Sequence, residues 1–224
     1  MMKKSILLAL AIAGVARPDS LEDVLARMDT AAKAFKSYSA NVKMVDYIKS
    51  VDDKDETNGS MHFQRAKNGL AGIVDFSASK NPNIIHLDGP KGEKYLPKAN
   101  EIQEFNMRKL APTMDQMLLL GFSVTREEML RDYDVKLGGP DKVGSTETTR
   151  IVLTPKSAAT LKVVKTIELW IPDGKGYPIQ EKESEPHGDY KLVTYSELQV
   201  NPTLPPAAFE LPPSAARAKR VKEN

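Results

Sequence analysis

The sequence predicts an α+β fold in which a large antiparallel sheet of about ten or eleven strands is accompanied by helices. Two observations predict it. Strand-like segments bounded by turn residues recur at roughly ten- to twelve-residue spacing, which is too short for parallel strands joined by helices. Apolar residues recur at helical spacing near the N-terminus and again in the middle of the chain, between residues 111 and 134. We therefore expect an N-terminal helix and a helical interruption within an antiparallel meander.

Residues 1–16 have the form of a secretory signal peptide. Two lysines precede an apolar stretch of roughly ten residues, which is too short to span a bilayer. Gly14 and Ala16 supply the small residues of a cleavage site. We expect export, a single globular domain over 17–213, and a basic, disordered tail over 214–224.

Charge and cysteine content exclude several classes of function. The chain of 224 residues has 32 basic and 30 acidic residues and no cysteine. Cleavage after residue 16 would remove two lysines and balance the charges, so the mature chain offers no global support for nucleic-acid binding. The lack of cysteine excludes thiol catalysis, thiolate metal sites and the acylated cysteine of a bacterial lipoprotein. We expect a protein that is free in the periplasm and stabilised by its core.

The domain opens with an amphipathic helix. Apolar residues between Leu21 and Phe35 fall at steps of three and four. Ser20 suits the N-cap position, and Asp23 follows three residues later. The helical pattern ends near Tyr38, where alternating, strand-like sequence begins.

Six strand-like segments lie between residues 39 and 107. The dipeptide Asn68-Gly69 is a strong signal for a two-residue hairpin between the second and third of them. Further turns are marked by Gly89-Pro90 and by the segment 97–100. These short connections predict neighbouring antiparallel strands.

The segment 111–124, APTMDQMLLLGFSV, interrupts the strands. Pro112 suits a helix start and Gly121 a helix end, and a capping box of Thr125 and Glu128 predicts a second short helix. The apolar side chains of the segment include Met114, Met117, Leu118, Leu119, Leu120 and Phe122. The composition fits a core element and a cover over an apolar cavity equally well, because methionine-rich surfaces adapt to varied apolar ligands.

Strand-like sequence resumes at residue 133. In the segment KTIELWI, Ile167, Leu169 and Ile171 share one face of the predicted strand. Two more strands follow, with a turn near residues 185–190. The prolines after residue 201 favour an extended edge segment, and we expect the last eight or so residues to be frayed.

Residues capable of catalysis or metal binding are few and scattered. His62, His86 and His187 lie far apart in the sequence, so we expect structural or surface roles for them. Glu181, Glu183 and Glu185 alternate with other residues along one strand, and this pattern favours a solvent-facing side of the strand over a cluster of catalytic carboxylates. The acidic segment 52–56 lacks the pattern of a calcium loop and is interpreted as a hairpin tip. No nucleotide- or cofactor-binding motif is present, so we expect no enzyme, no cofactor and no metal.

The second half of the chain resembles the LolA-like family of outer-membrane lipoprotein carriers. The similar features are Leu153-Thr154-Pro155 at a strand end, the strand IELWI followed by Pro178, Gly188-Asp189, the strand end at Asn201, and the closing FELPPS. Earlier, Tyr95-Leu96-Pro97 resembles a strand–turn–strand of the family, and the segment 111–130 resembles its helical insertion. Arg65 is the nearest match to the family's strand arginine that contacts the lid.

The resemblance implies an unclosed antiparallel half-barrel whose concave face is covered by the N-terminal helix and a mid-chain helical lid. It implies a periplasmic carrier that binds acyl chains of lipoproteins, or another lipid, and moves them from an inner-membrane donor toward an outer-membrane acceptor, as a monomer. The expected lid residues are Met114, Met117, Leu118, Leu119 and Phe122. The expected cavity wall consists of Phe76, Ile84, Leu87, Ile167 and Leu169. The alternative is a non-catalytic periplasmic scaffolding protein that binds a protein partner by a sheet edge or by its basic tail.

Overall fold

A computed structural model describes residues 19–67, 69–107 and 120–222. Within them, twelve strands form one sheet in the order β12-β6-β5-β4-β3-β2-β1-β11-β10-β9-β8-β7. The helices are α1 (Leu21–Ala34) and α2 (Arg126–Asp132). The strands are β1 (Ser37–Ile48), β2 (Asp53–Ala66), β3 (Gly69–Asp75), β4 (Ile84–Asp88), β5 (Lys91–Leu96), β6 (Glu101–Asn106), β7 (Tyr133–Val143), β8 (Thr146–Pro155), β9 (Thr166–Pro172), β10 (Gln180–Ser184), β11 (Tyr190–Val200) and β12 (Lys219–Lys222).

Both helices begin where their capping residues predict. The Ser20 hydroxyl accepts the Asp23 backbone N–H, and the Asp23 carboxylate accepts the Ser20 N–H at 3.1 Å. Thr125 and Glu128 form the same reciprocal arrangement at the start of α2. Each box satisfies backbone donors that a helix start leaves without intrahelical partners. The helix starts expected at Ser20 and Thr125 are therefore confirmed.

The sheet is antiparallel except at one edge. Strand β1 lies near its middle and pairs with β2 on one side and with β11 on the other. The hairpin between β2 and β3 is confirmed, with Ala66 opposite Gly69. Strand β12 pairs in parallel with β6, and β7 forms the other end of the strand order. The sheet is not closed into a barrel, as expected for a half-barrel with helices.

Alternation along the strands creates two apolar faces. We define the inner face as the side of the sheet against which α1, Leu120 and Phe122 pack. It contains an aromatic cluster built around β1–β3 and an aliphatic cluster built around α1, β8 and β9. A third cluster, the outer cluster, comprises Ile73, Ile84, Tyr95, Ile102 and Ala215, with Leu211 and Ala218 against it.

The C-terminal segment corrects one expectation. Residues expected to be a disordered tail form a 3₁₀ helix (Pro213–Arg217) and strand β12, and the latter raises the strand number to twelve. Two contacts account for the order. Ala215 is buried in the outer cluster, and the Arg220 guanidinium lies 2.7 Å from Glu93 and 2.5 Å from Glu104.

Some expectations fall outside the described residues. They include the signal peptide over 1–16 and the lid residues Met114, Met117, Leu118 and Leu119. Among the helices that the structure describes, none is long and apolar enough to cross a membrane.

Candidate ligand-binding face

Residues Leu120 to Phe122 connect the two clusters of the inner face. The Leu120 side chain is buried in the aliphatic cluster, and the Phe122 side chain is buried in the aromatic cluster. Gly121 between them has φ +84°, and a Cβ at this position would lie 2.7 Å from the Pro178 ring. Only glycine fits this close approach without strain, so the segment 120–122 lies in direct contact with Pro178.

Phe122 is the described lid candidate, and aromatic rings surround it. Its ring stacks on Tyr38 at a centroid distance of 4.4 Å and meets Tyr195 edge-on at 5.5 Å. Tyr38 stacks in turn on Phe63 at 5.2 Å. Contacts of this geometry add to the free energy gained by burying the rings. Phe122 therefore fills the centre of the aromatic cluster.

The stretch 108–119, which contains the other lid candidates, lies between two buried residues. Met107 is buried in the aromatic cluster, and its backbone N–H donates to the Pro90 carbonyl at 2.9 Å. Leu120, on the other side, is buried in the aliphatic cluster. Both points of attachment thus lie on the inner face.

Four of the five expected wall residues lie on the inner face. Phe76 and Leu87 belong to the aromatic cluster, and Ile167 and Leu169 belong to the aliphatic cluster. Ile84 does not share this wall, because it packs against Tyr95 in the outer cluster. Side chains three residues apart on a strand point to opposite faces, so Ile84 and Leu87 of β4 cannot line one surface.

A glutamate lies where the two inner clusters meet. Glu181 of β10 pairs with Leu169 of the aliphatic cluster and with Val193, which packs against the aromatic cluster. We call Leu169, Glu181 and Val193 the seam. Gly121 lies over it, since a Cβ there would approach the Leu169 Cδ1 to 3.6 Å. The expectation that Glu181 faces solvent is therefore wrong.

Glu181 is 7% exposed, and its Oε1 has no hydrogen-bond partner in the structure. Burial raises the pKa of Glu181 well above its ordinary value, the nearby Glu183 carboxylate raises it further, and a hydrogen bond with Tyr195 opposes both. Burial also raises the pKa of Tyr195 and of Tyr38, with Glu181 contributing in each case. Glu181 is therefore a buried carboxyl group set in an apolar surface.

The next row of the inner face is acidic. Glu183 pairs with Ile167 and with Lys191, whose ammonium lies 3.9 Å from the Asp46 carboxylate. Burial raises the pKa of Glu183 despite Lys191. A pocket of about 240 Å³ opens at this end of the sheet, lined by Asp46, Tyr47, Ile48, Glu183, Glu185, Asp189, Tyr190 and Lys191. Glu185 is exposed, as the sequence predicted for it.

The outer face contains a second buried glutamate, Glu93 of β5, which is 4% exposed. Arg220 and Lys91 each place a nitrogen 2.7 Å from its Oε1, and His86 lies 3.1 Å from its Oε2. Burial acts to raise the pKa of Glu93, but the hydrogen bonds from Arg220, Lys91 and His86 outweigh it and lower the pKa to about 2. This carboxylate is a structural ion-pair centre.

The remaining polar candidates of the sequence, two histidines and Arg65, each have a local contact or an exposed position. His62 contacts the Ser39 hydroxyl at 2.9 Å, and His187 is exposed in the turn between β10 and β11. The Arg65 guanidinium is exposed, 5.9 Å from the Phe35 ring. In the described parts of the chain, no group of three or more His, Asp or Glu side chains could hold a metal ion.

No protein-family model matches the sequence, and no curated protein matches it either. Solved structures do match the fold. An uncharacterised conserved protein from Thermus thermophilus aligns over 92% of this chain and 100% of its own, with 12% identity and a TM-score of 0.57. MucB aligns over 88% of this chain and 64% of its own, with 11% identity and a TM-score of 0.53. This chain thus spans less than two thirds of the MucB chain.

A LolA superfamily protein from Nitrosomonas europaea aligns over 85% of this chain and 97% of its own, with 14% identity and a TM-score of 0.41. At these sequence identities the likeness is one of fold alone. The fold assignment rests on the alignments with TM-scores above 0.5 and on the strand order.

Proposed function

We propose that the protein is a periplasmic carrier that holds acyl chains of lipoproteins, or of another lipid, against the inner face and delivers them toward the outer membrane. One observation carries the proposal. Leu120 and Phe122 insert into the two apolar clusters directly after a stretch rich in Met and Leu. A segment held at two points by apolar side chains can exchange those contacts for contacts with an acyl chain.

The energetics favour such an exchange. Burying a Leu or Phe side chain contributes about 1.5–3 kcal/mol each, so withdrawing both costs roughly 5 kcal/mol. An acyl chain of some fifteen carbons gains about 0.8 kcal/mol per buried CH₂, or roughly 10 kcal/mol before ordering costs. The lid residues Met114, Met117, Leu118 and Leu119 would then cover the chain, while Phe76, Leu87, Ile167 and Leu169 would form the wall.

Two features of the sequence support a periplasmic location. Residues 1–16 have the form of a signal peptide, and the chain has no cysteine for a lipid anchor. The alignments with TM-scores above 0.5 support the fold. We expect a monomeric carrier without a catalytic group or cofactor, because the sequence has no cysteine and no nucleotide- or cofactor-binding motif.

Native mass spectrometry of the protein purified from a Gram-negative periplasm tests the proposal directly. We expect an acyl lipid to copurify, and we expect uptake of N-phenyl-1-naphthylamine, a neutral probe that fluoresces in apolar surroundings. A ligand-free protein that also fails to take up this probe would show that the inner face is ordinary core.

A pair of variants tests the role of Phe122. Phe122→Leu and Phe63→Leu change the same residue type within the same cluster, at two fully buried positions. Each should lower the free energy of unfolding by about 1–2 kcal/mol. Only Phe122→Leu should accelerate probe uptake, because Phe63 belongs to strand β2 and does not withdraw. Leu119→Asp should strongly reduce probe uptake while changing the free energy of unfolding little.

The second candidate is a scaffolding protein that binds a protein partner. MucB of Pseudomonas aeruginosa was solved in complex with MucA. That structure aligns over 86% of this chain and 61% of its own, with 11% identity and a TM-score of 0.50. In this chain, β7 forms one end of the sheet and its Leu137 is 43% exposed. The basic tail is less suited to a partner, since Arg220 already binds two glutamates of the sheet. A copurifying protein released by Leu137→Lys, with no lipid, would favour this candidate.

A further inference from the structure

We infer that Glu181 is a ligand-binding residue of the inner face and that its ligand is a long-chain amine, an amphiphile whose polar end donates N–H hydrogen bonds. This inference rests on the proposed function and specifies the chemical class of the ligand. It is carried by a carboxyl group in the middle of an apolar face, by its unpartnered oxygen, and by the charge of the surface around it.

The position of Glu181 is that of a polar anchor. It lies in the seam, between Leu169 and Val193 of the neighbouring strands. Leu120 and Phe122 pack on the two clusters that border the seam. Withdrawal of these two side chains would expose the carboxyl group together with the apolar wall. A ligand entering there would meet one polar group and otherwise hydrocarbon and aromatic rings, the usual composition of a small-molecule site.

The Oε1 atom of Glu181 is buried without a hydrogen bond. Among the described residues, no lysine, arginine or histidine forms an ion pair with Glu181 within 4.0 Å. A buried polar atom without a partner destabilises the fold, whereas a ligand donor at this place would satisfy it. An N–H group fits this acceptor, and the Tyr38 and Tyr195 rings beside it attract a cation.

The charge around the seam selects against anions. The next row of the inner face contains Glu183 and Asp46 against the single ammonium of Lys191. Glu185 and Asp189 line the pocket that opens at this end of the sheet. A fatty-acid carboxylate or a phosphate would approach four acidic groups and one basic group, so an amine is favoured over an acid of equal chain length.

The test compares three probes of equal chain length, dodecylamine, dodecanol and dodecanoate, below their critical micelle concentrations at pH 7.5. Displacement of N-phenyl-1-naphthylamine reports binding of each. We expect the wild type to bind dodecylamine about tenfold more tightly than dodecanoate, the increment of one charge-assisted hydrogen bond. In Glu181→Gln, the affinity for dodecylamine should fall about tenfold, while that for dodecanol stays unchanged.

Glu127→Gln is the matched control, because it removes an exposed acid of α2 that lies outside the acidic row. It should leave the preference for amine over acid nearly intact. Equal binding of amine and acid by the wild type, or an unchanged preference in Glu181→Gln, would overturn the inference. If no probe binds, dodecanol included, the proposed function itself fails.

A second variant separates binding from a structural role. Glu181→Leu replaces a buried polar group by an apolar one of similar size, so thermal stability should stay equal or rise while the preference for amine disappears. Strong destabilisation by Glu181→Leu, with the preference retained in Glu181→Gln, would assign the residue to the core.

Discussion

Glu93 and Glu181 are both buried glutamates of one sheet, yet their surroundings are opposite. Glu93 on the outer face receives three basic groups, and its pKa is lowered to about 2. Glu181 on the inner face has an oxygen without a partner, and burial raises its pKa. The first arrangement is complete within the fold, whereas the second leaves hydrogen-bonding capacity unused. Burial alone therefore does not distinguish a structural carboxylate from one that can recognise a ligand.

The largest effect is expected from Glu93→Leu, which leaves Arg220 and Lys91 without their shared partner. The free energy of unfolding should fall by about 3 kcal/mol, because removing one member of a buried ion-pair network leaves uncompensated charge. Urea denaturation measures it. Glu56→Leu, at an exposed ion pair with Lys43, is the control and should have little effect. Equal effects of the two substitutions would show that the outer network is dispensable.

The pH dependence of stability should differ in sign between the two glutamates. The pKa of Glu93 is lower in the folded state than its ordinary value of 4.5, so its contribution is present above about pH 4.5 and is lost as the pH falls toward 2. We expect a loss on the order of 2 kcal/mol, reduced by the partial exposure of Arg220. Thermal unfolding of the wild type and Glu93→Gln between pH 6 and pH 2 should converge at the acid end.

For Glu181 the folded-state pKa is raised, so stability should fall as the pH rises above the ordinary value of 4.5. Tyr38 and Tyr195 face this carboxyl group, and Glu183, beside Lys191 and Asp46, lies in the next row. Glu181→Gln cannot ionise, so its stability relative to the wild type should rise as the pH increases above 4.5. Parallel pH profiles of the two proteins would contradict the assignment of a raised pKa.

The smallest effect concerns Arg220, whose side chain is half exposed. Arg220→Gln removes one of three basic partners of Glu93 and should lower stability by about 0.5–1 kcal/mol, with the difference vanishing at high salt. Lys219→Gln, on the same strand and exposed, is the matched control for charge. Chemical denaturation at low and high salt distinguishes them, and a salt-independent loss would point to packing rather than to the ion pair.

The sequence predicted those features that depend on neighbouring residues. The capping boxes at Ser20 and Thr125 and the hairpin between β2 and β3 involve residues within a few positions of each other, so local pattern was sufficient. The placement of Ile84 was wrong because apolar residues of β4 occur on both faces. No local signal distinguishes them.

Two features depend on partners distant in sequence. The alternating glutamates of β10 have the pattern of an exposed strand, and only the pairing with Leu169 and Val193 shows that Glu181 is buried. Likewise, Lys219–Lys222 has the composition of a basic tail, and its order depends on contacts with β5 and β6. The candidate ligand-binding residue could therefore be found only from the tertiary structure.

The parallel pairing of β12 with β6 has a consequence for folding. About 110 residues separate the two strands, so the edge strand β6 is completed by one of the last segments of the chain. Until β12 docks, β6 is an open edge that other chains can join. Aggregation should therefore compete with folding at this edge, and a truncation before Lys219 should make that vulnerability permanent.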